Sequence, residues 1–344
     1  MDYSEKYLKS VWNTKLPIEQ YTESRADNFI KEGLMNGEKT PTFPHDYSKM
    51  THSENKRFDM IHYSPFSNTL VTDFALEALN NENLGQGEYT DFLAISFSAT
   101  DKIGHKFGPN SIEVEDLYLR LDDELARLLE GLDEKIGNGN YLVFLTADHA
   151  VVDIPLFLKE KKIPSGLFNS IDMCQKMNNY LADKYGDGEW ILSCKNSQVF
   201  LNWELISANK IDKDEVTRWV VKYLLDMEAI GDVFTAEQII AGDYNEGGVK
   251  GALIRGFNRE RSGDLLFNLN SGWFDDLWGD GSDHSTVYSY DTHVPMLFYG
   301  WGIKKGSTVR YHPITDIAPT ISTLLNIKFP SGCSGQPIAE LFEE

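Results

Sequence analysis

The run YLVFLTADHAVVD, Tyr141 to Asp153, decides how this chain is read. Its unbroken apolar stretch suits a parallel β-strand covered on both faces. The stretch then stops on Asp148 and His149, side by side. A carboxylate and an imidazole are costly to bury and good at holding metals, so their place at a strand end needs a cause.

Working outward, DFLAISFSATD (91–101) is a second apolar run, predicted as a strand that stops at a polar loop. Between the two runs lies the clearest helix pattern, 111–135. Leu117, Leu121, Leu125, Leu128 and Leu132 form one stripe, and Asn110 is placed to cap it with Glu113 three residues on. Strand, loop, long helix and strand make a βαβ unit. A helix is also predicted over 67–80, with Asn68 or Thr69 as cap. VPMLFYG (294–300) repeats the core-strand pattern, and a helix over 315–326 follows it.

The expected fold class is therefore α/β. Residues 1–60 read as an irregular or helical surface segment, 61–154 as the first part of an α/β core, 155–270 as an inserted α+β subdomain, and 271–344 as the second part of the core. Within the insertion the spacing predicts helices over 166–185 and 213–227, strands near 190–203 and 230–234, and a hairpin near 251–268.

Composition bounds the function. The chain has 344 residues, 41% hydrophobic and 25% charged, as a globular protein does. No run of about eighteen apolar residues predicts a membrane span, and MDYSEKYLKS lacks the build of a secretory signal. A formal charge of −21 argues against general nucleic-acid binding and repels anionic substrates. A bound anion would need concentrated positive charge, and metal ions are the obvious source. Cys174, Cys194 and Cys333 have no zinc-ribbon spacing; Cys174 and Cys194 either pair in an oxidising compartment or join Cys333 as thiols.

Three places share one design, an apolar strand with metal-capable residues at its end: Asp101 and His105 in SATDKIGHKFGP, Asp148 and His149 in TADHA, and His293 in SYDTHVP. Ligand sites of parallel α/β sheets lie beyond the carboxyl ends of the strands. Carboxylate with neutral imidazole suits Zn, Mn or Fe, and the five residues read as a two-metal site that would clamp a phosphoryl or similar group. His284 is assigned either a supporting role beside a ligand or a plain loop position. His45, His52, His62 and His312 have no clustered partners, Glu113, Glu115 and Asp116 suit a helix start, and Trp273, Phe274 and Trp278 read as loop packing.

ATDKIGHKFGP, FLTADHA and YDTHVPMLFYGWGIKKG followed by HPITDIAPTISTLLNI resemble the metal-binding segments of the alkaline phosphatase superfamily, nearest its branch related to nucleotide pyrophosphatases. The resemblance runs from about residue 60 to the C-terminus. It implies a three-layer sandwich with a mostly parallel central sheet and a cap-like insertion. It also implies two Zn²⁺ ions, one on Asp101, His105 and His293 and the other on Asp148 and His149. A metal-activated Thr or Ser would attack phosphorus, and water would then hydrolyse the phosphoenzyme.

In that family the nucleophile, a further Asp and phosphate contacts lie upstream of everything matched here. Within residues 1–60, Thr22 and Ser24 are preceded by no strand to deliver them, so the nucleophile is expected outside this chain. The chain then corresponds to the C-terminal portion of such an enzyme. Its Asp101 site would be better retained than its Asp148 site, and alone it would be weakly active or inactive. Ala150 stands where the family has Gly, a strain if its φ is positive. The resemblance further implies a small phosphate-ester substrate, an extracytoplasmic or periplasmic location, and an N-terminal fragment or partner strand completing the sheet. Two alternatives stand beside this reading: a phosphodiesterase or nucleotide pyrophosphatase, and a non-catalytic metal- or anion-binding protein on the same scaffold.

Overall fold

The structure, a computed structural model, describes residues 3–50, 58–276 and 279–342; His52 and Trp278 lie outside them. Two compact units emerge. The first comprises Met1–Ser64, Ala99–Leu117 and His149–His293, and the second Pro65–Ser98, Tyr118–Asp148 and Val294–Glu344. Helices and strands alternate through both, which is the α/β class expected.

In the second unit, the strand Leu142–Thr146 pairs with Met296–Gly300 over five residues. The pairing is antiparallel, whereas a parallel neighbour was expected. An apolar run reports burial on two faces but carries no information about a neighbour's direction. Among the described residues this sheet has two strands, and the strand at 142–146 is half-buried along its length. The run 91–101, predicted as a strand, forms no ladder among the described residues, and its last three residues begin a helix; a strand needs a neighbour's backbone as well as apolar side chains. The helix Phe66–Asn81 forms as predicted, although Pro65 stands at its start in place of a side-chain cap. Arg127 fastens this helix by donating to Asp73 at 2.5 Å and to Glu124, and Glu124 accepts from Thr69 at 2.7 Å.

The first unit holds the chain from 155 to 270. Its four-stranded sheet runs in the order Ile191–Lys195, Gln198–Leu201, Leu265–Leu269, Ile230–Thr235, with antiparallel neighbours. The helices Ser170–Tyr185 and Lys213–Leu225 turn Met173, Met177, Leu181, Val216, Val220 and Leu224 into one buried cluster with it. Within each helix those residues recur every four positions, the spacing of a helix with one apolar face. Asn169 and Asp212 cap the two helices, accepting from the amides of Asp172 and Glu215. Where a hairpin was predicted, Gly248–Gly256 is a helix and only Leu265–Leu269 a strand. The glycines of GVKGALIRG hid its helical spacing. All three cysteines are free thiols.

The segment 3–50 carries a buried polar network. Asp116 accepts hydrogen bonds from Trp12 Nε1 at 2.6 Å, Lys15 N at 2.5 Å and Tyr21 Oη at 2.5 Å. His45, read from sequence as unclustered, is fully buried between Glu38 at 2.9 Å and Glu113 at 3.3 Å. Burial alone would lower its pKa, but those two carboxylates win and raise it to about 9. Glu113 therefore balances a buried imidazolium as well as standing at a helix start. Ser111, one residue past the predicted cap, accepts from Val114 N, while Asn110 donates to Asp153.

Candidate metal centre

Asp101 and His105 sit on a helix, Ala99–Phe107, where a loop was expected. The helix explains their spacing: residues four apart share a face, and the opposite stripe of Ala99, Ile103 and Phe107 is fully buried. His105 Nε2 lies 3.0 Å from Asp101 Oδ1. His149 Nε2, just past the strand end, lies 3.8 Å from the same oxygen. The third imidazole there is His284, whose Nε2 is 3.5 Å away. The rings of His149 and His284 stack at 3.4 Å.

The other nitrogen of two of these rings is tied back to the main chain. His105 Nδ1 is 2.9 Å from the Ser282 carbonyl, and His149 Nδ1 is 2.9 Å from the Ala150 carbonyl. Tying Nδ1 to a backbone carbonyl orients each ring so that Nε2 faces Asp101, the arrangement that supports a metal-ligating imidazole. Burial opposes ionisation of Asp101, yet bonds with His105 and His284 hold its carboxyl well below the usual range. His105 is raised in turn, first by its bond to Asp101.

Among the described residues two groups of donors lie close enough to share an ion: Asp101, His149 and His284, and His105, Asp283 and His284, each with its donor atoms within 4.8 Å of one another. One carboxylate with two imidazoles is a fitting donor set for a transition ion. His284 belongs to both groups. His293, expected as the third ligand of Asp101, belongs to neither; it is exposed at the end of the short helix Ser289–Thr292. Asp148 is also exposed and in neither group. Asp283 was missed by the sequence reading. The signal available was SDHS, which repeats the Asp-His order of TADHA.

The backbone supports this placement. Ala150 is not among the positive-φ residues, so the strain considered for it is absent. Gly281, at φ +77°, packs against the carbonyls of His105 and Lys106, where a Cβ would collide with the former, and next to it Ser282 N donates to His105 O at 2.9 Å. Gly281→Ala is expected to destabilise the chain by about 1–3 kcal/mol and to loosen His105, read as a lower melting temperature and weaker metal uptake; an unchanged melting temperature would count against the close approach.

The chain belongs to the type I phosphodiesterase / nucleotide pyrophosphatase family, whose profile matches residues 2–287. Alkaline phosphatase PafA of Elizabethkingia meningoseptica is 42% identical over 96% of this chain. A protein named calcium-transporting ATPase from Myroides odoratus is 41% identical over 99%, and alkaline phosphatase PhoV of Synechococcus elongatus 39% over 98%. A crystal structure of wild-type PafA superposes with a TM-score of 0.92 over 99% of the chain, at 40% identity. The α/β fold is thus alkaline-phosphatase-like, and the superfamily is the one its motifs resemble. The chain spans about three fifths of these relatives, 60% of PafA and of PhoV and 62% of the Myroides protein. Among the described residues no helix is long and apolar enough to cross a membrane.

Proposed function

We propose that this chain carries the metal-binding part of a phosphate-ester hydrolase of the phosphomonoesterase type, working with two zinc ions. The observation that carries the reading is the convergence of three imidazole Nε2 atoms on one Asp101 oxygen. Relatives named alkaline phosphatases at 42% and 39% identity support a monoester substrate. The family description supports the second reading, a phosphodiesterase.

Zinc, when bound, would offset charge on the transferring phosphoryl group and lower the pKa of an oxygen nucleophile. Asp101, His105, His149 and His284 would hold it, and Asp148, adjoining His149, would belong to the second position. The carbonyls of Ser282 and Ala150 would keep two imidazoles in the metal-binding tautomer. A Thr or Ser from outside this chain would be the nucleophile, so the isolated chain would be a poor catalyst.

A partner strand or N-terminal fragment would complete the sheet of the second unit. Among the described residues its ladder has only the strands Leu142–Thr146 and Met296–Gly300, and unpaired strand edges pair readily with another chain. An extracytoplasmic location follows the same family reading.

The test uses the zinc-loaded chain on p-nitrophenyl phosphate and on bis-p-nitrophenyl phosphate, alone and within a polypeptide extended to the relatives' length. Zinc uptake with turnover only in the longer polypeptide, faster on the monoester, is expected. Faster cleavage of the diester would favour the second reading. Zinc or phosphate binding with turnover in neither form would leave a non-catalytic binder, and absence of zinc uptake would sink the proposal.

A further inference from the structure

We propose that Asp291 is a positioning residue for the metal centre, setting His284 and His149 together from one buried point. The proposal rests on the metal-centre reading above, since the groups it places are the candidate ligands.

Asp291 works through both its side chain and its backbone. Its Oδ2 accepts from Thr286 N at 2.8 Å and from Thr286 Oγ1 at 2.7 Å, which folds 286–291 into a closed loop. Its carbonyl accepts from Ala150 N at 2.7 Å. Thr286 stands two residues after His284, and Ala150 directly after His149. One residue thus grips the chain beside each of the two stacked imidazoles. Val152 N continues the seam, donating to the Asp283 carbonyl at 3.3 Å. On its other side the loop is held by Tyr288 Oη, 3.1 Å from Asn268 Nδ2, and by Tyr290 Oη, which accepts from Gly272 N at 3.0 Å.

Two features show the arrangement to be imposed. Ser285, between His284 and Thr286, has φ 125°, a conformation an L-residue keeps only when its surroundings dictate it. Asp291 is 2% exposed, and among the described residues its Oδ1 has no hydrogen-bond partner within normal geometry. A half-satisfied buried carboxylate is a poor choice for stability, so its bonds to Thr286 are best accounted for by what they place. Asp291 is in neither donor group and acts through the backbone.

The experiment titrates Zn²⁺ calorimetrically into the metal-free chain and records the Co²⁺ absorption spectrum, for wild type, T286V, D291N, D291L, S285G and D291L/S285G, each with its melting temperature. D291L and T286V are expected to weaken zinc binding about ten- to hundredfold, as loss of ligand support does, and to alter the cobalt spectrum. D291N keeps an acceptor for Thr286 and should retain most of the affinity. S285G should restore part of the loss in D291L, because glycine takes the needed φ without the clamp; a merely stabilising carboxylate would not produce that rescue. Wild-type affinity and spectrum in both D291L and T286V would overturn the proposal, as would a loss that follows melting temperature and ignores S285G. A wild-type chain that takes up neither metal would remove the metal-centre reading itself, and this one with it.

Discussion

His284→Ala should abolish tight metal binding by the chain, while His293→Ala should leave it near wild type. Both residues lie in SDHSTVYSYDTH, and the place of the second just before an apolar strand, with the family resemblance, favoured it. The geometry reverses that order. His284 Nε2 is 3.5 Å from Asp101 Oδ1, stacks on His149 and is common to both donor groups, whereas His293 is exposed and in neither. Removing a residue that merely supports a ligand weakens metal affinity about 10–100-fold, so removing a ligand shared by two groups should exceed that range. His284→Ala should also free Asp101, whose carboxyl is held low by bonds to His105 and His284 against the cost of burial. Zinc retained after dialysis, measured by plasma mass spectrometry beside calorimetric titration, reads the difference directly. Equal losses in the two variants would refute the assignment of His284, and so would full retention in both.

Asp116→Ala carries the largest expected effect on stability. The carboxylate is completely buried and accepts from Trp12 Nε1, Lys15 N and Tyr21 Oη. Those contacts fasten the 12–21 segment, and Trp12 in turn packs edge-on against Phe43 with ring centroids 5.1 Å apart. Burial, and next the bond to Asp116, raise the Tyr21 hydroxyl to about 12, so Tyr21 remains a donor across the working pH range. Alanine would leave buried donors without an acceptor. At about 1–3 kcal/mol for each group left unsatisfied, the loss should be on the order of 3 kcal/mol or more. Asp116→Asn keeps one acceptor oxygen and should cost less. Urea unfolding followed by circular dichroism measures both; a change below about 1 kcal/mol for the alanine variant would mean that the segment is held by other contacts.

Much of the site was legible because its residues announce themselves by type and place. Asp101, His105 and His149 follow apolar runs, where a polar pair has no structural excuse, and the structure gathers all three. His284 was underrated because it follows no apolar run and lies in a polar stretch whose path only tertiary contacts fix. The clamp of Asp291 on Thr286 and Ala150 links residues 141 positions apart in the chain, Ala150 and Asp291, and no local period encodes that pairing. His45 is a similar case, since its partner Glu113 is 68 positions away.

By itself the sequence determined the α/β class, the long amphipathic helix and the family, because side-chain periodicity and short motifs are local properties of the chain. Tertiary structure alone decided the antiparallel pairing of Leu142–Thr146 with Met296–Gly300 and brought His284, and not His293, beside Asp101. Both depend on which distant backbone arrives alongside. The strand end of TADHA is the place where the two kinds of information meet: its apolar run predicts a strand, and the loop that carries His284 and Asp291 gives His149 its partners.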